Sequence, residues 1–405
     1  MGVGYNEQDF FLTRTWRSKT GGGIVRCNQV KYLRKMGWEV IVVTPFSLYN
    51  KEVKSERSEE GIVWIPNKIP AKLGKLLERT GILDDYLDNW VKNSFNYLKK
   101  IIKSDDILIA TTGGELGTLK LAHKLKSKIN CKYLINYHDP IDFTKINEKV
   151  IPHKGYYILR DSKEEKYLRN VDYVVTMSEG LKNVLLSKYS FLKSKITEIY
   201  FGFSQNKKKS SNLKLTNSKK INIVYGGSFE SYLRKPELIL NSLKFLEEKY
   251  IDKIEVTYIG NWRNYKPIVN FTKSELGKKT VTLLPYMSNN EFIEYIVENA
   301  DLGLVSLGND YYARIAMPSK IYDYISLGIP MLGLLPSSSA MDIINKNKYG
   351  KALYFNNHIG VAKYLERIIN YPQILKEYKS NILSDRDSWE MEYRMEKLDS
   401  ILKNI

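Results

Sequence analysis

Two cysteines and four histidines are all that 405 residues offer for disulfide, thiol or soft-metal chemistry. Cys27 and Cys131 each sit inside an apolar pattern. They read as reduced core residues rather than a disulfide, which fits a cytosolic protein. No Cys or His cluster has zinc spacing. No window approaches 18 uninterrupted apolar residues, so no transmembrane span is expected. The opening, MGVGYNEQDFFLTRTW, lacks the basic flank, apolar centre and small-residue cleavage site of a secretory leader. Acid is outnumbered by base, 45 residues to 63. The formal net charge of +18 calls for an anionic partner: nucleic acid, an anionic membrane surface or phosphate-bearing small molecules. No nucleic-acid-binding module and no arginine–aromatic cluster is present, which argues against nucleic acid. The excess is mostly lysine spread along the chain, a pattern that solvated surface faces also produce.

What is present is a globular composition, 43% hydrophobic and 27% charged, in a chain long enough for two or three domains. Apolar strand candidates alternate with amphipathic helical stretches. DFFLTRTW (9–16), WEVIVVTP (38–45, ended by Pro45), 105–112, 131–139, 171–178 and 195–203 form a first series. Residues 205–220 carry six lysines and no acid and read as a linker. INIVYGGSF (221–229) opens a second series with 253–260, 281–286, 300–307, 329–336 and 350–355. This order predicts two α/β domains with parallel sheets. The boundaries fall at 1–205, 206–220 for the basic linker, and 221–385. A closing amphipathic helix (386–405) returns to the first domain. Open α/β sheets bind ligands beyond the carboxyl ends of their strands.

Four stretches at such ends could carry chemistry. TGGGIVR (20–26) is a Gly-rich turn before a helix, without the G-x-G-x-x-G pattern; no P-loop motif occurs anywhere. Such a turn either cradles a phosphate or simply turns. YGGSFESYLRK (225–235) offers a second Gly pair, with Arg234 and Lys235 near a helix start. Cations there oppose the helix dipole unless an anion joins them; otherwise they are solvated loop charges. In MPSKIYDYISLG (317–328), Pro318 suits the first helical position, and the N–H groups around Ser319 and Lys320 can donate to an anion. Asp323, a turn later, can accept from sugar hydroxyls; the plainer reading is a capped helix with an exposed lysine. His138, in YHDP, ends a strand, where it can hydrogen-bond a polar substrate or serve the core.

Taken together these segments resemble glycosyltransferase family 4, of the GT-B fold class. The resemblance runs through FFLTRTWRSKTGGGIVRCNQVKYLRKMGWEVIVVTP, VDYVVTMSEGLKNVL with Ser178, EIYFGF with Phe201 in place of the usual Asn, IVYGGSF, and PSKIYDYISLGIPML. It implies two Rossmann-like domains facing across a cleft. A nucleotide-diphosphate sugar would bind mainly to the second and the acceptor to the first. Transfer would be retaining and would need no metal or other cofactor. Matched by position, Gly22 and Gly23 lie near the donor phosphates and His138 by the transferred sugar. Lys235 and Arg234 offset the diphosphate charge, Gly227 belongs to the second Gly turn, and Pro318 to Lys320 bind phosphate oxygens. Asp323 aligns with the acid that holds the ribose.

Departures accompany the match. Ile315 stands where the family's first acid is usual, with Arg314 beside it, and Gly227 and Ser228 stand where an Arg is usual. The D-x-D of Asp385 and Asp387 reads as surface charge rather than a metal clamp. KIPAKLGKLLERTGIL (68–83) is a basic amphipathic stretch suited to an anionic bilayer, whereas 89–103 reads as a core-packing helix. The expected activity is sugar transfer to a glycan acceptor, lipid-linked, in bacterial surface polysaccharide assembly, by a cytoplasmic protein peripheral on the inner membrane face. A non-catalytic partner of a transferase and a nucleotide-sugar epimerase are the alternatives.

Overall fold

The computed structural model describes residues 8–16, 21–47, 60–141, 154–204, 220–227, 229 and 233–405. The Lys-rich stretch 206–219 and Ser228 lie outside the described residues. The chain divides into two compact units, Met1–Phe201 with Arg394–Ile405, and Gly202–Tyr393.

Unit 1 holds seven parallel strands: β1 (Gln8–Leu12), β2 (Glu39–Ser47), β3 (Ile62–Asn67), β4 (Ile107–Gly113), β5 (Lys132–Asp139), β6 (Tyr173–Thr176) and β7 (Ile196–Glu198). Their order is β3-β2-β1-β4-β5-β6-β7, so the chain reverses direction across the sheet between β1 and β4. β4 is buried along its whole length, as a parallel strand covered on both faces must be. One face of the sheet contributes Phe10, Leu12, Leu108, Ala110, Tyr133 and Ile135 to a core with Trp90, Leu119 and Leu125. Trp90 belongs to the helix Asp88–Leu98, which packs inward as its apolar spacing predicts.

Pro45 does not end β2, which runs on to Ser47. Val43 faces β1, whose Thr13 N–H donates to its carbonyl at 3.0 Å. Pro45 points to the same side, but β1 has stopped at Leu12, so its missing N–H breaks no ladder. β3, absent from the expected strands, pairs with β2 at the sheet edge, where Pro66 is tolerated.

The closing helix, Met391–Asn404, buries Met395, Leu398 and Leu402 at helical spacing. From Arg394 onward it belongs to unit 1. Asp399 Oδ1 accepts from Trp38 Nε1 at 2.8 Å, and Lys397 Nζ donates to the Glu198 carbonyl at 3.1 Å.

Unit 2 holds six parallel strands: β8 (Ile221–Gly226), β9 (Ile254–Ile259), β10 (Val281–Leu284), β11 (Leu302–Ser306), β12 (Met331–Leu335) and β13 (Gly350–Tyr354). The order β10-β9-β8-β11-β12-β13 reverses between β8 and β11. Ile223, Tyr225, Val256, Tyr258, Leu304 and Leu332 pack with Ile239, Leu365 and Ile368 from the covering helices. Asp385 is more than surface charge: its Oδ2 accepts from Tyr349 Oη at 2.9 Å, and Tyr349 Oη also takes Trp389 Nε1 at 2.9 Å. No helix among the described residues is long and apolar enough to cross a membrane.

Candidate functional site

In unit 2 the carboxyl ends of β8 and β11 flank the strand-order reversal, and two of the four sequence stretches, 225–235 and 317–328, meet there. β8 ends at Gly226 and is followed by Gly227 at φ 143°, a backbone that residues with a Cβ rarely adopt. Arg234 forms an isolated bridge to Leu307, Gly308 N donates to the Leu233 carbonyl at 2.8 Å, and Lys235 N reaches the Ser306 carbonyl at 3.4 Å. The segment carrying both cations is thereby laid over the end of β11. Arg234 is exposed and Lys235 half-buried, its stem lying over Gly308.

The helix Ser319–Leu327 starts one residue later than expected: Pro318, at φ −62° and ψ 125°, is its extended N-cap rather than its first turn. Gly328, left-handed at φ 68°, closes it. Ile321, Tyr322, Tyr324 and Ile325 are buried, while Ser319 is exposed and Asp323 half-buried. Lys320 is not the exposed lysine of the plainer reading. Its Nζ donates to the Gly226 carbonyl and stands 4.9 Å from the centroid of the Tyr225 ring. Burial, helped by the nearby Arg234 charge, pushes its pKa down to about 7. None of Arg234, Lys235 and Lys320 has a carboxylate within ion-pair distance among the described residues. Arg314, on the helix Tyr311–Ile315, is exposed and donates to Asn309 Oδ1 at 3.1 Å, next to the buried Ile315.

A pocket of about 470 Å³ that the sequence reading missed opens beyond β9 and β10, lined by Gly260 to Asn264 with Pro285 and Tyr286. Trp262 Nε1 donates to the Leu284 carbonyl at 2.7 Å and joins the two loops. The available signal was a Trp and an Arg directly after a strand, in GNWRN.

In unit 1, His138 occupies a β-bulge. Thr112 pairs with Tyr137 and Gly113 with Asp139, leaving His138 as the extra residue. Bulges re-aim side chains and are frequent at sites. Its ring lies 4.8 Å from that of Phe201, and Nε2 is buried without a hydrogen-bond partner among the described residues. Burial and the charges of Arg26 and Arg14 push its pKa well down, so the ring is neutral. Gly22 is exposed and Gly23 buried in the first turn of the helix Gly21–Lys35. Beside them stands a group that sequence reasoning did not assemble: Arg14, Arg26, Glu115 and Asp139. Arg14 Nε lies 3.2 Å from Glu115 Oε2, and burial raises the Asp139 pKa. Among the described residues no group of three or more His, Cys, Asp or Glu side chains is arranged to hold a metal.

No protein-family model matches the chain, and no curated protein sequence does either. Solved structures do match over nearly all of it. The apo form of WaaB, a lipopolysaccharide outer core galactosyltransferase, superposes with a TM-score of 0.70 at 16% identity, over 98% of this chain and 100% of that one. The N-terminal domain of Candida albicans trehalose-6-phosphate phosphatase gives 0.70 at 13% identity, over 98% and 97%. The pneumococcal O-GlcNAc transferase GtfA in complex with UDP and GlcNAc gives 0.61 at 10%, over 99% of both. The fold is GT-B. In this GT-B chain, the Gly turn of β8, the Arg234–Lys235 segment and the start of the Ser319 helix gather in unit 2. Gly22, Gly23 and His138 belong to unit 1.

Proposed function

We propose that the chain is a family 4-type glycosyltransferase that moves a sugar from a nucleotide-diphosphate donor to a glycan acceptor. One observation carries the reading: Arg234, Lys235 and Lys320, without a carboxylate partner among the described residues, gather at a Gly turn and a helix N-terminus where a parallel sheet reverses. Such a place suits a diphosphate. As the glycosidic bond to the leaving nucleoside diphosphate breaks, negative charge grows on the phosphate oxygens. Lys235, Arg234 and the N–H groups of Ser319 and Lys320 stabilise it, with the backbone at Pro318 and Gly227 shaping the cradle. That charge supply makes the reaction metal-independent in this reading.

Asp323 holds the ribose hydroxyls, and the pocket at Trp262 and Tyr286 takes the base. Arg314 lies beside the donor, in place of the missing acid at Ile315. Unit 1 supplies Gly22 and Gly23 near the donor phosphates and His138 to the transferred sugar, with retention of configuration. The acceptor is a lipid-linked glycan intermediate of bacterial surface polysaccharide synthesis. The protein works in the cytoplasm, peripherally on the membrane through 68–83. The helix Ala71–Arg79 supports this, since Leu73, Leu76 and Ile82 around it are exposed beside Lys72 and Lys75.

The buried Ile315 favours a second reading, a non-catalytic partner that keeps the fold. A thermal-shift screen of nucleoside diphosphates and their sugars, followed by donor hydrolysis and transfer assays, separates the two. A non-catalytic partner gives neither hydrolysis nor transfer; no shift with any nucleotide rejects the transferase reading.

A further inference from the structure

Arg26 is 3% exposed on the second turn of the helix Gly21–Lys35. Its guanidinium has one hydrogen-bond partner among the described residues, Thr15 Oγ1 at 2.7 Å from Nη1, and its Nε is buried with none. No carboxylate lies within ion-pair distance of it among those residues, because Glu115 is engaged by Arg14. The second guanidinium adds a like charge instead. A methyl built on Gly113, at the end of β4, would lie 2.9 Å from Arg26 Nη2, 3.2 Å from Arg14 Nη2 and 3.5 Å from Asp139 Oδ2. The two forks and this carboxyl therefore converge over the bare α-carbon of Gly113, beside the reversal between β1 and β4. On the other side, a methyl on the exposed Gly22 would lie 3.6 Å from Arg26 Nη1. Two further buried side chains have polar atoms without partners, Gln29 one turn along the helix and Asn136 two residues before His138.

A buried guanidinium with no carboxylate at ion-pair distance is costly in a folded chain, and burial lowers its pKa despite the pull of Glu115 and Asp139. Water would satisfy its N–H groups but not its charge. A planar fork is suited to a phosphate or carboxylate.

We propose that Arg26, assisted by Arg14 above Gly113, binds an oxyanion carried by the acceptor, so that the acceptor is a phosphate- or carboxylate-bearing sugar. The three cations of unit 2 already match a donor diphosphate, which leaves this cation for the other substrate. Assigning the oxyanion to an acceptor rests on the transferase reading; the oxyanion site itself does not.

The test uses the full chain with glucose 6-phosphate and glucuronate as probes, glucose as the neutral control and nucleoside diphosphates in a separate arm, by thermal shift and calorimetry. At least one anionic sugar is expected to stabilise the protein where glucose does not. Arg26→Met should weaken that binding about tenfold or more. It should leave the ligand-free melting temperature unchanged or higher, since a group kept for a ligand is a burden to the fold, and leave the nucleoside diphosphate response intact. Should Arg26→Met not fold, Gly113→Ala is read instead; its methyl fills the point of convergence and should weaken the same binding. No response to either anionic sugar overturns the proposal, as does a folded variant of either kind that binds them undiminished. Loss of the nucleoside diphosphate response alone in Arg26→Met assigns the oxyanion to the donor and overturns the acceptor claim. Binding of an anionic sugar with no nucleotide response at all leaves the site standing and rejects the transferase reading.

Discussion

Lys320 Nζ is bound to the carbonyl of Gly226, the last residue of β8, and not displayed to solvent. That contact joins the start of the Ser319 helix to the Gly turn after β8. It also makes the ammonium sensitive to charge. Burial and Arg234 bring its pKa down to about 7, below the ordinary lysine value. Between these values the unfolded chain binds the extra proton, so this group makes stability rise with pH above 7. A bound diphosphate favours the protonated amine, so nucleotide affinity should move the opposite way. It should fall above pH 7 by up to about tenfold per pH unit. Calorimetry at pH 6.5, 7.5 and 8.5 checks the slope, and Lys320→Met should flatten it. An affinity independent of pH in the unmodified protein contradicts the phosphate role of Lys320.

Lys235 lies in a segment held by main-chain contacts to Ser306, and its stem lies over Gly308. Because its charge takes part in no ion pair among the described residues, Lys235→Ala should leave the melting temperature nearly unchanged. Loss of a well-placed donor to developing charge costs about 3 kcal/mol in the barrier, roughly 100-fold in rate. Transfer within about twofold of the unmodified protein would reject its assignment. The same assay with a chelator should show no loss, since the reading asks nothing of a metal.

Asp323→Ala should act on binding. The side chain is half-buried one turn into the Ser319 helix, and ribose hydroxyls are its proposed partners. Removing hydrogen bonds to a charged acceptor costs about 1.5–3 kcal/mol, so nucleoside diphosphate affinity should drop by about 10- to 100-fold. Unchanged affinity by calorimetry would remove the ribose role.

Membrane docking is testable at Lys72 and Lys75. Each lysine near an anionic bilayer contributes about 1 kcal/mol. Replacing both with Gln should therefore cut co-sedimentation with vesicles containing phosphatidylserine about 30-fold in affinity. Leu76→Glu should abolish it, because Leu76 is 56% exposed and has little packing to lose. Equal binding of the unmodified protein to purely zwitterionic vesicles would show that charge has no part.

How far the sequence carried depended on range. Twelve of the thirteen strands announce themselves as apolar runs bounded by turns. β3 does not, because GIVWIPN lies at an edge, half-exposed, with a proline inside it. The Gly turn after β8 and the Pro318–Lys320 helix start are legible because turns and helix starts have local residue requirements. The Arg14, Arg26, Glu115 and Asp139 group is not, since residues 12 to over 100 positions apart meet only through the pairing of β1, β4 and β5. Lys320 reads as exposed because its sequence neighbours do not reveal that Gly226 lies above it.

Arg160 supports the unit 1 loop at Gly113–Glu115. Arg160 Nη1 pairs with Glu78, Nη2 donates to the Gly114 carbonyl at 2.8 Å, and Asp85 Oδ2 lies 3.9 Å away. Asp85 also accepts from Leu87 N at 2.9 Å and from Leu116 N at 2.7 Å. One buried cation thus serves two buried acids, and burial with the Glu78 charge raises the Asp85 pKa. Arg160→Met should cost about 3–5 kcal/mol at neutral pH by leaving the Glu78 carboxylate buried without its cation. A carboxyl whose folded pKa is raised contributes stability that is present at low pH and lost as pH rises through the folded value. The difference in melting temperature between variant and unmodified protein should therefore be larger at pH 8 than at pH 5. A gap that stays constant over that range would show that the variant loses packing alone and that the two acids are not held by the Arg160 charge.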